Sequence, residues 1–458
     1  MNKVTQEVSD LIHRGMDSNV RIAVTGLSRA GKTAFITSLV NQLLHSSTHD
    51  NLPLFVASRE GRVVGAKRVP QSNLLTPSFA YQDAMGQLHQ NPPNWPQPTR
   101  DVSEIRLSLK YQSNKKYRQL LSRASVLDID IIDYPGEWLL DLPLLDMSFS
   151  QWSNAQIQNL TGVRKELAQG WLAEVTDLDL SADADEMKLK HIAERFTEYL
   201  HQCKAAGLHL VQPGRFVLPG ELEGAPVLQF FPCHLSDNEK PRATSNLAML
   251  SKRYEEYQQK VVKAFYKHHF STFDRQIVLV DCLQPLNAGH DSFHDMRAAL
   301  AQIMSSFKYG RSNVVRRLFS AKIDKVLFAA TKADHVTPEQ HTNLVSLLRQ
   351  MVQPAWQSTA YEHIEMNCMS LASIQATRSG FINVSGAQSP ALQGVTLSGE
   401  DLTVFPGEVP LKLPSSGYWQ ERGFEFTGFR PACSDPDSPI GHIRIDKALE
   451  YLLGDKVK

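Results

Sequence analysis

Eight residues near the amino terminus, Gly26-Leu27-Ser28-Arg29-Ala30-Gly31-Lys32-Thr33, have the types and spacing of GxxxxGK[ST]. The chemistry such a string can do is to hold a polyphosphate. Its glycines let the loop fold back so that backbone N–H groups face phosphate oxygens, at the start of a helix whose dipole favours an anion. Gly26, Ser28, Arg29, Ala30, Gly31, Lys32 and Thr33 are therefore the candidate phosphate-binding residues. Lys32 would bridge β- and γ-oxygens, and the Thr33 hydroxyl would coordinate Mg²⁺, which offsets charge during transfer. A glycine turn with a solvated lysine is the plain alternative.

Such a loop does not choose among a GTPase, an ATPase and a kinase, so further residues must decide. Asp133-Tyr134-Pro135-Gly136 follows the strand-like segment Ile129 to Ile132. A carboxylate at that strand end can hold Mg²⁺ through water, and the Gly136 amide can meet a γ-phosphate oxygen. Thr331-Lys332-Ala333-Asp334 follows VLFAA, where Asp334 can accept both N–H donors on the guanine edge while the Lys332 stem packs over the base. Adenine lacks that pair of donors. Ser370-Leu371-Ala372-Ser373 could add backbone contacts to the base or be an ordinary turn.

The elements that must position these residues are legible as alternating strands and helices. Apolar runs at 21–24, 105–109, 126–132, 277–280 and 325–330 read as strands, and Phe35, Leu39 and Leu43 begin a helix directly after the glycine loop. A hairpin is expected around Glu60-Gly61, ahead of the proline-rich NPPNWPQPT at 91–99. Helical spacing recurs through Ile157, Leu160, Val163, Leu167 and Trp171, through Leu189 to Cys203, and through Tyr254 to Phe265, which predicts three packed helices. After Ile374, Gly/Ser/Pro-punctuated runs with Phe424, Phe426 and Phe429 suggest β-hairpins, and a last helix spans 445–453. The amino-terminal segment has helical spacing rather than a signal peptide's apolar core.

The order GLSRAGKT, DYPG, TKAD and SLAS resembles the Ras-like GTPases, over about 20–45, 99–137 and 275–375. The run DYPGEWLLDLPLL and the overall layout are similar to the YcjX family of bacterial stress-associated proteins across nearly the whole chain. The resemblance implies an α/β fold, a Ras-like P-loop NTPase core with a mostly parallel sheet, plus a helical insertion subdomain and C-terminal β-hairpins. The expected parts are 1–144 with an insertion around 50–98, then 145–273 helical, 274–376 completing the core, and 377–458. The implied ligands are GTP or GDP with Mg²⁺, and the implied setting is a cytoplasmic protein in stress handling.

Carried over residue by residue, the resemblance gives Lys32, Thr99, Gly136 and Glu137 catalytic roles, and Thr33, Thr99 and Asp133 the metal. Thr331, Lys332, Asp334, Ser370, Leu371 and Ala372 take the guanine. Thr99 is chosen as the switch threonine because it precedes the second core strand, with Thr76 as fallback. Arg100 or Arg59 could serve as a built-in arginine finger, or be solvated. One departure matters: Glu137 stands where Ras-like enzymes commonly carry Gln. An ionised Glu accepts but cannot donate a hydrogen bond, which predicts slow hydrolysis or another group orienting the water. A nucleotide-gated scaffold with negligible hydrolysis, and a P-loop ATPase, remain as alternatives.

Composition narrows the rest. The 48 Lys plus Arg balance 48 Asp plus Glu, so no nucleic-acid partner is expected. The basic run Lys110, Lys115, Lys116, Arg118 and Arg123 reads as a solvated connection. Cys203, Cys233, Cys282, Cys368 and Cys433 lie too far apart for a zinc ribbon or disulfide scaffold and fit a reducing cytoplasm. No apolar stretch approaches the ~20 residues of a membrane helix, which still allows a membrane-bound partner. A protein effector is expected on the helical insertion, which directly follows Gly136.

Overall fold

The computed structural model describes residues 18–98, 101–114, 124–235, 242–307, 323–359, 364–384, 386–421, 423–432 and 435–458. The amino-terminal helical spacing up to residue 17, Thr99, Arg100, most of the basic run from Lys115 to Arg123, and Cys433 lie outside these residues.

A seven-stranded sheet organises the chain. Its strands are β1 (Ser18–Gly26), β2 (Val63–Val69), β3 (Ser103–Tyr111), β4 (Ser125–Asp133), β5 (Arg275–Val280), β6 (Lys325–Ala330) and β7 (Glu365–Ser370), in the order β2-β3-β4-β1-β5-β6-β7. The pairings from β4 through β7 are parallel, while β3 runs antiparallel to both its neighbours. β1 is central, so its carboxyl end, where the glycine loop begins, is flanked by the ends of β4 and β5. Ligands of open α/β sheets gather at that edge. β5 is buried along its whole length, as a parallel strand covered on both faces must be.

Alternation along the strands divides the core in two. Ile22, Val24, Ile277 and Leu279 face one side, with α1 (Lys32–His45) and the last helix (Ile445–Leu453) packed on them. Ala23, Val278 and Val280 face the other. There they meet the insertion, including α2 (Glu186–Ala205) and α3 (Asn246–Glu256), and the later helices α4 (His290–Ser306) and α5 (His341–Thr359). Trp152, Trp171, Phe196 and Phe230 fill this second core from the insertion. The insertion thus buries its aromatic side chains in one continuous cluster with the sheet.

Three local expectations are corrected. The hairpin anticipated at Glu60-Gly61 is a helix end. Residues Val56–Arg59 form one helical turn, Gly61 takes φ +66°, Arg62 N–H returns to Ala57 O, and β2 pairs with the distant β3. The recurrence from Ile157 to Trp171 is split among helices Phe149–Gln158, Gly162–Leu167 and Gln169–Thr176, because Gly162 at φ +50° turns the chain between the first two. Phe424, Phe426 and Phe429 lie outside strands, Phe429 making only an isolated bridge to Thr396. The C-terminal β structure itself is present as β8 (Thr377–Val384), β9 (Ala387–Val395) and β10 (Asp401–Val404), an antiparallel sheet in the order β10-β9-β8. Among the described residues no helix is long and apolar enough to cross a membrane.

Candidate nucleotide site

The glycine loop leaves β1 at Gly26, where a Cβ would stand 2.6 Å from the Leu279 carbonyl oxygen of β5. Only glycine permits that approach. Arg29 (φ +63°) and Gly31 (φ +82°) then turn the chain so that α1 starts at Lys32. The first turn of α1 has neither an acidic residue nor a side-chain cap, which leaves its N-terminal N–H groups to an anionic ligand. Lys32 Nζ donates to Gly26 O at 2.9 Å, folding its ammonium over the loop.

The β4 end is set against the same loop. Asp133 pairs in register with Val24 and is fully buried. The following tyrosine is pinned from behind: Tyr134 accepts a hydrogen bond from Gln276 Nε2 at 2.6 Å and stacks on Phe273. Gly136 packs so closely that a Cβ there would collide with the Gly26 carbonyl. The Thr33 hydroxyl and the Asp133 carboxylate are both hard oxygen donors, the set that Mg²⁺ takes alongside phosphate oxygens. When bound, the ion would neutralise charge developing on the phosphates.

Glu137 is buried, its side chain 3% exposed, and it meets Lys204 of α2, with Nζ 2.8 Å from Oε1. Burial alone would raise its pKa. The charges of Lys204 and Lys32 outweigh that and hold the carboxyl below its ordinary value. The residue thus turns inward, onto the insertion. Further along, Asp141 is enclosed by the insertion, accepting from the Gly214 and Arg215 amides and from the Tyr257 hydroxyl. Tyr257 opens a π-helical turn at the end of α3. Burial dominates at Asp141 and pushes its pKa up to about 7 against those donors.

At the far side, Lys332 takes φ +59° at the turn after β6, and its ammonium lies 2.6 Å from Asp281 Oδ2, just past β5. Burial would raise the Asp281 carboxyl, but Lys332 and the amides of the following helix lower it overall. Asp334 Oδ2 accepts the Ala376 N–H at 2.7 Å, and the Thr377 hydroxyl bonds to the Asp334 carbonyl. The two loops are tied directly, Ala333 N–H donating to Leu371 O at 3.1 Å.

A cavity of about 380 Å³ joins these parts. Arg29 to Ala34 form one wall, and Thr331, Lys332 and Asp334 form another. Asp133, Gly136 and Glu137 are not on its wall, nor are Ser370, Leu371 and Ala372. The Ser370 hydroxyl accepts from Arg444, while the Leu371 and Ala372 amides donate to Ala330 O and Ile443 O. Ser373 and Ile374 face the cavity in their place. Thr76 accepts from Asn73 in the loop after β2 and does not reach the cavity, and Arg59 is exposed away from its lining. Of the SLAS loop that the sequence offered to the base, Ser373 is the residue that reaches the cavity, whereas sequence reasoning missed Asp281, Lys204, Trp95 and Phe429. Trp95 lay within a segment flagged only for its prolines. It lines the cavity and ties its indole N–H to Phe429 O at 2.9 Å, so the proline-rich segment and the C-terminal region roof the site together. A larger cavity of about 1020 Å³ lies elsewhere, against Asp101, Lys204 and Phe216. The smaller one is where the glycine loop and the Thr331–Asp334 turn converge.

Residues 20–457 match the YcjX-like family, DUF463. The Ras-like GTPase YcjX of Escherichia coli (strain K12) is 53% identical over 465 residues, covering 100% of both chains. Its namesake from Shewanella oneidensis is 45% identical over 478 residues, covering 100% of this chain and 99% of the relative. With the match spanning the glycine loop, the DYPG turn, the helical insertion and the C-terminal sheet alike, the chain belongs to the YcjX-like family.

Proposed function

We propose that the chain binds GTP and GDP with Mg²⁺ in the 380 Å³ cavity and hydrolyses GTP slowly, as a Ras-like switch. The observation that carries this reading is the shared wall: Gly31 to Ala34 and Thr331, Lys332 and Asp334 face one space of nucleotide size. Two relatives named Ras-like GTPase YcjX, matched end to end, support it. Lys32, with Thr33 and Asp133 at the metal, holds the phosphates. Gly136 meets the γ-phosphate, Asp334 reads the guanine edge, and the Ser373 segment closes beside the base. Thr99 stays the proposed switch threonine; its neighbours Pro98 and Asp101 line the smaller and the larger cavity respectively.

Slow turnover follows from Glu137, a buried anion already engaged by Lys204 where other enzymes hold a neutral amide. Single-turnover phosphate release tests the reading. Cleavage well below ~1 s⁻¹ but above the uncatalysed rate is expected. Release at ~1 s⁻¹ or faster without a partner contradicts the slow step. No release at all favours the second reading, a nucleotide-gated scaffold, which the same Glu137–Lys204 pair makes chemically reasonable. The 145–273 insertion is the proposed effector face, and its protease sensitivity should differ between GDP and a non-hydrolysable GTP analogue. A cytoplasmic role in bacterial stress handling belongs to the same proposal, through the family resemblance.

A further inference from the structure

The geometry points to Lys204 as a positioning residue for hydrolysis: from the helical insertion it fixes Glu137 directly after Gly136, leaving one carboxylate oxygen to receive the attacking water. This inference rests on the GTPase reading above.

Three observations carry it. Gly136 lies against the Gly26 carbonyl, the same carbonyl that Lys32 Nζ contacts, so Glu137 stands one residue from the glycine loop, behind the wall of the 380 Å³ cavity. Glu137 Oε1 is taken by Lys204, while Oε2 is buried with no full hydrogen bond among the described residues, the residue's own amide being the only other donor that bears on the carboxylate. A buried carboxylate oxygen without a donor is costly, and a pair serving only to dock the insertion would be expected to satisfy both oxygens. Third, Lys204 is 22% exposed and lines the 1020 Å³ cavity together with Asp101, so solvent reaches its ammonium from that side while the Glu137 carboxylate stays enclosed.

The charge logic is direct. A lone carboxylate next to a triphosphate would be repelled and would weaken the very state it must serve. Lys204 cancels that charge locally, as Lys32 does from the loop, while Oε2 keeps its capacity to accept. His209, buried on the segment after α2, lies within range of the Glu137 charge, after the nearer influence of Asp295 and Asp281. In the step served, the water oxygen bonds to the γ-phosphorus as the bond to the β,γ-bridging oxygen breaks. GDP and inorganic phosphate leave, one water proton staying on phosphate and the other passing to solvent. Because Lys204 sits on α2, any movement of that helix acts on hydrolysis.

The test compares wild type with Lys204→Met, Lys204→Arg, Glu137→Gln and the Lys204→Met/Glu137→Gln double variant. Single-turnover hydrolysis at saturating Mg²⁺–GTP and calorimetric GDP affinity are the readouts. Lys204→Met should slow cleavage roughly 30-fold or more with GDP affinity within about 3-fold. Lys204→Arg should recover most of the loss, and the double variant should be no slower than Glu137→Gln alone. A wild-type rate in Lys204→Met, or losses that multiply in the double variant, overturns the proposal. If Lys204→Met fails to fold, Lys204→Gln and Lys204→Arg decide the same question by the same readouts. A wild type that binds GTP and never cleaves it removes the hydrolase reading together with this role. Cleavage by wild type with unaffected Lys204 variants removes this role alone.

Discussion

The two ends of the candidate site are built differently. At the proposed base-reading end, Asp334, Lys332 and Ala333 are fixed by neighbours within the core's own loops: Ala376 N–H on Asp334, Asp281 on Lys332, Leu371 O on Ala333. At the proposed γ-phosphate end, Glu137 is held by a residue 67 positions away on the insertion, and Asp141 by Gly214, Arg215 and Tyr257. The proposed base reader thus takes its geometry from the core, whereas the segment after Gly136 takes its geometry from the insertion. Changes at the first end should move binding; changes at the second should move chemistry and the docking of the insertion.

The largest expected effect probes that docking. Asp141 keeps its proton to about pH 7 in the folded protein, whereas an unfolded chain releases it near 4. Between those values the native state binds more protons, so the group's contribution declines as pH rises from 4 through 7. Relative to Asp141→Asn, wild type should lose up to about 4 kcal/mol over this window in denaturant titrations. A pH-independent difference would sever Asp141 from the buried-contact account. Next, Gly136→Ala forces a collision with Gly26. Single-turnover cleavage should fall about 10²–10³-fold, and GDP affinity by no more than about 10-fold. Comparable losses in both would erase the distinction between the ends.

At the base-reading end, Asp281→Ala frees Lys332 and removes the carboxylate that accepts from the Leu283 and Gln284 amides. GDP affinity should drop roughly 10-fold while the saturated single-turnover rate is unchanged. The smallest effect belongs to Trp95→Phe, which deletes the indole bond to Phe429 O. Stopped-flow GDP release should quicken about 5-fold, corresponding to one neutral hydrogen bond, with cleavage unaffected.

What could be read from residues alone tracks this division. GLSRAGKT, DYPG and TKAD are contiguous strings whose chemistry needs them at strand ends, and a strand end is visible as an apolar run that stops. The parallel strands were legible for the same reason. Lys204 was not, because a lysine on an amphipathic helix looks solvated until tertiary packing brings Glu137 to it. Asp281 was equally silent, being a single carboxylate after a strand with no spacing to mark its tie to Lys332. The hairpin reading at Glu60-Gly61 failed because a glycine at positive φ ends a helix as readily as it closes a hairpin. The role of Trp95 depends on a partner more than 300 residues later, Phe429.

The central claim is that one cavity holds a phosphate chain at Gly31 to Thr33 and reads a guanine at Asp334. Calorimetric titration of GDP, ADP and xanthosine diphosphate into wild type and Asp334→Asn tests it most directly. An asparagine at 334 can keep the Ala376 amide bonded through its carbonyl oxygen while presenting N–H donors to the base. Wild type should bind GDP roughly 100-fold or more tighter than ADP, and Asp334→Asn should lose GDP by a similar factor and prefer xanthosine diphosphate. Equal affinity of wild type for GDP and ADP, or a variant that still prefers guanine, would contradict it.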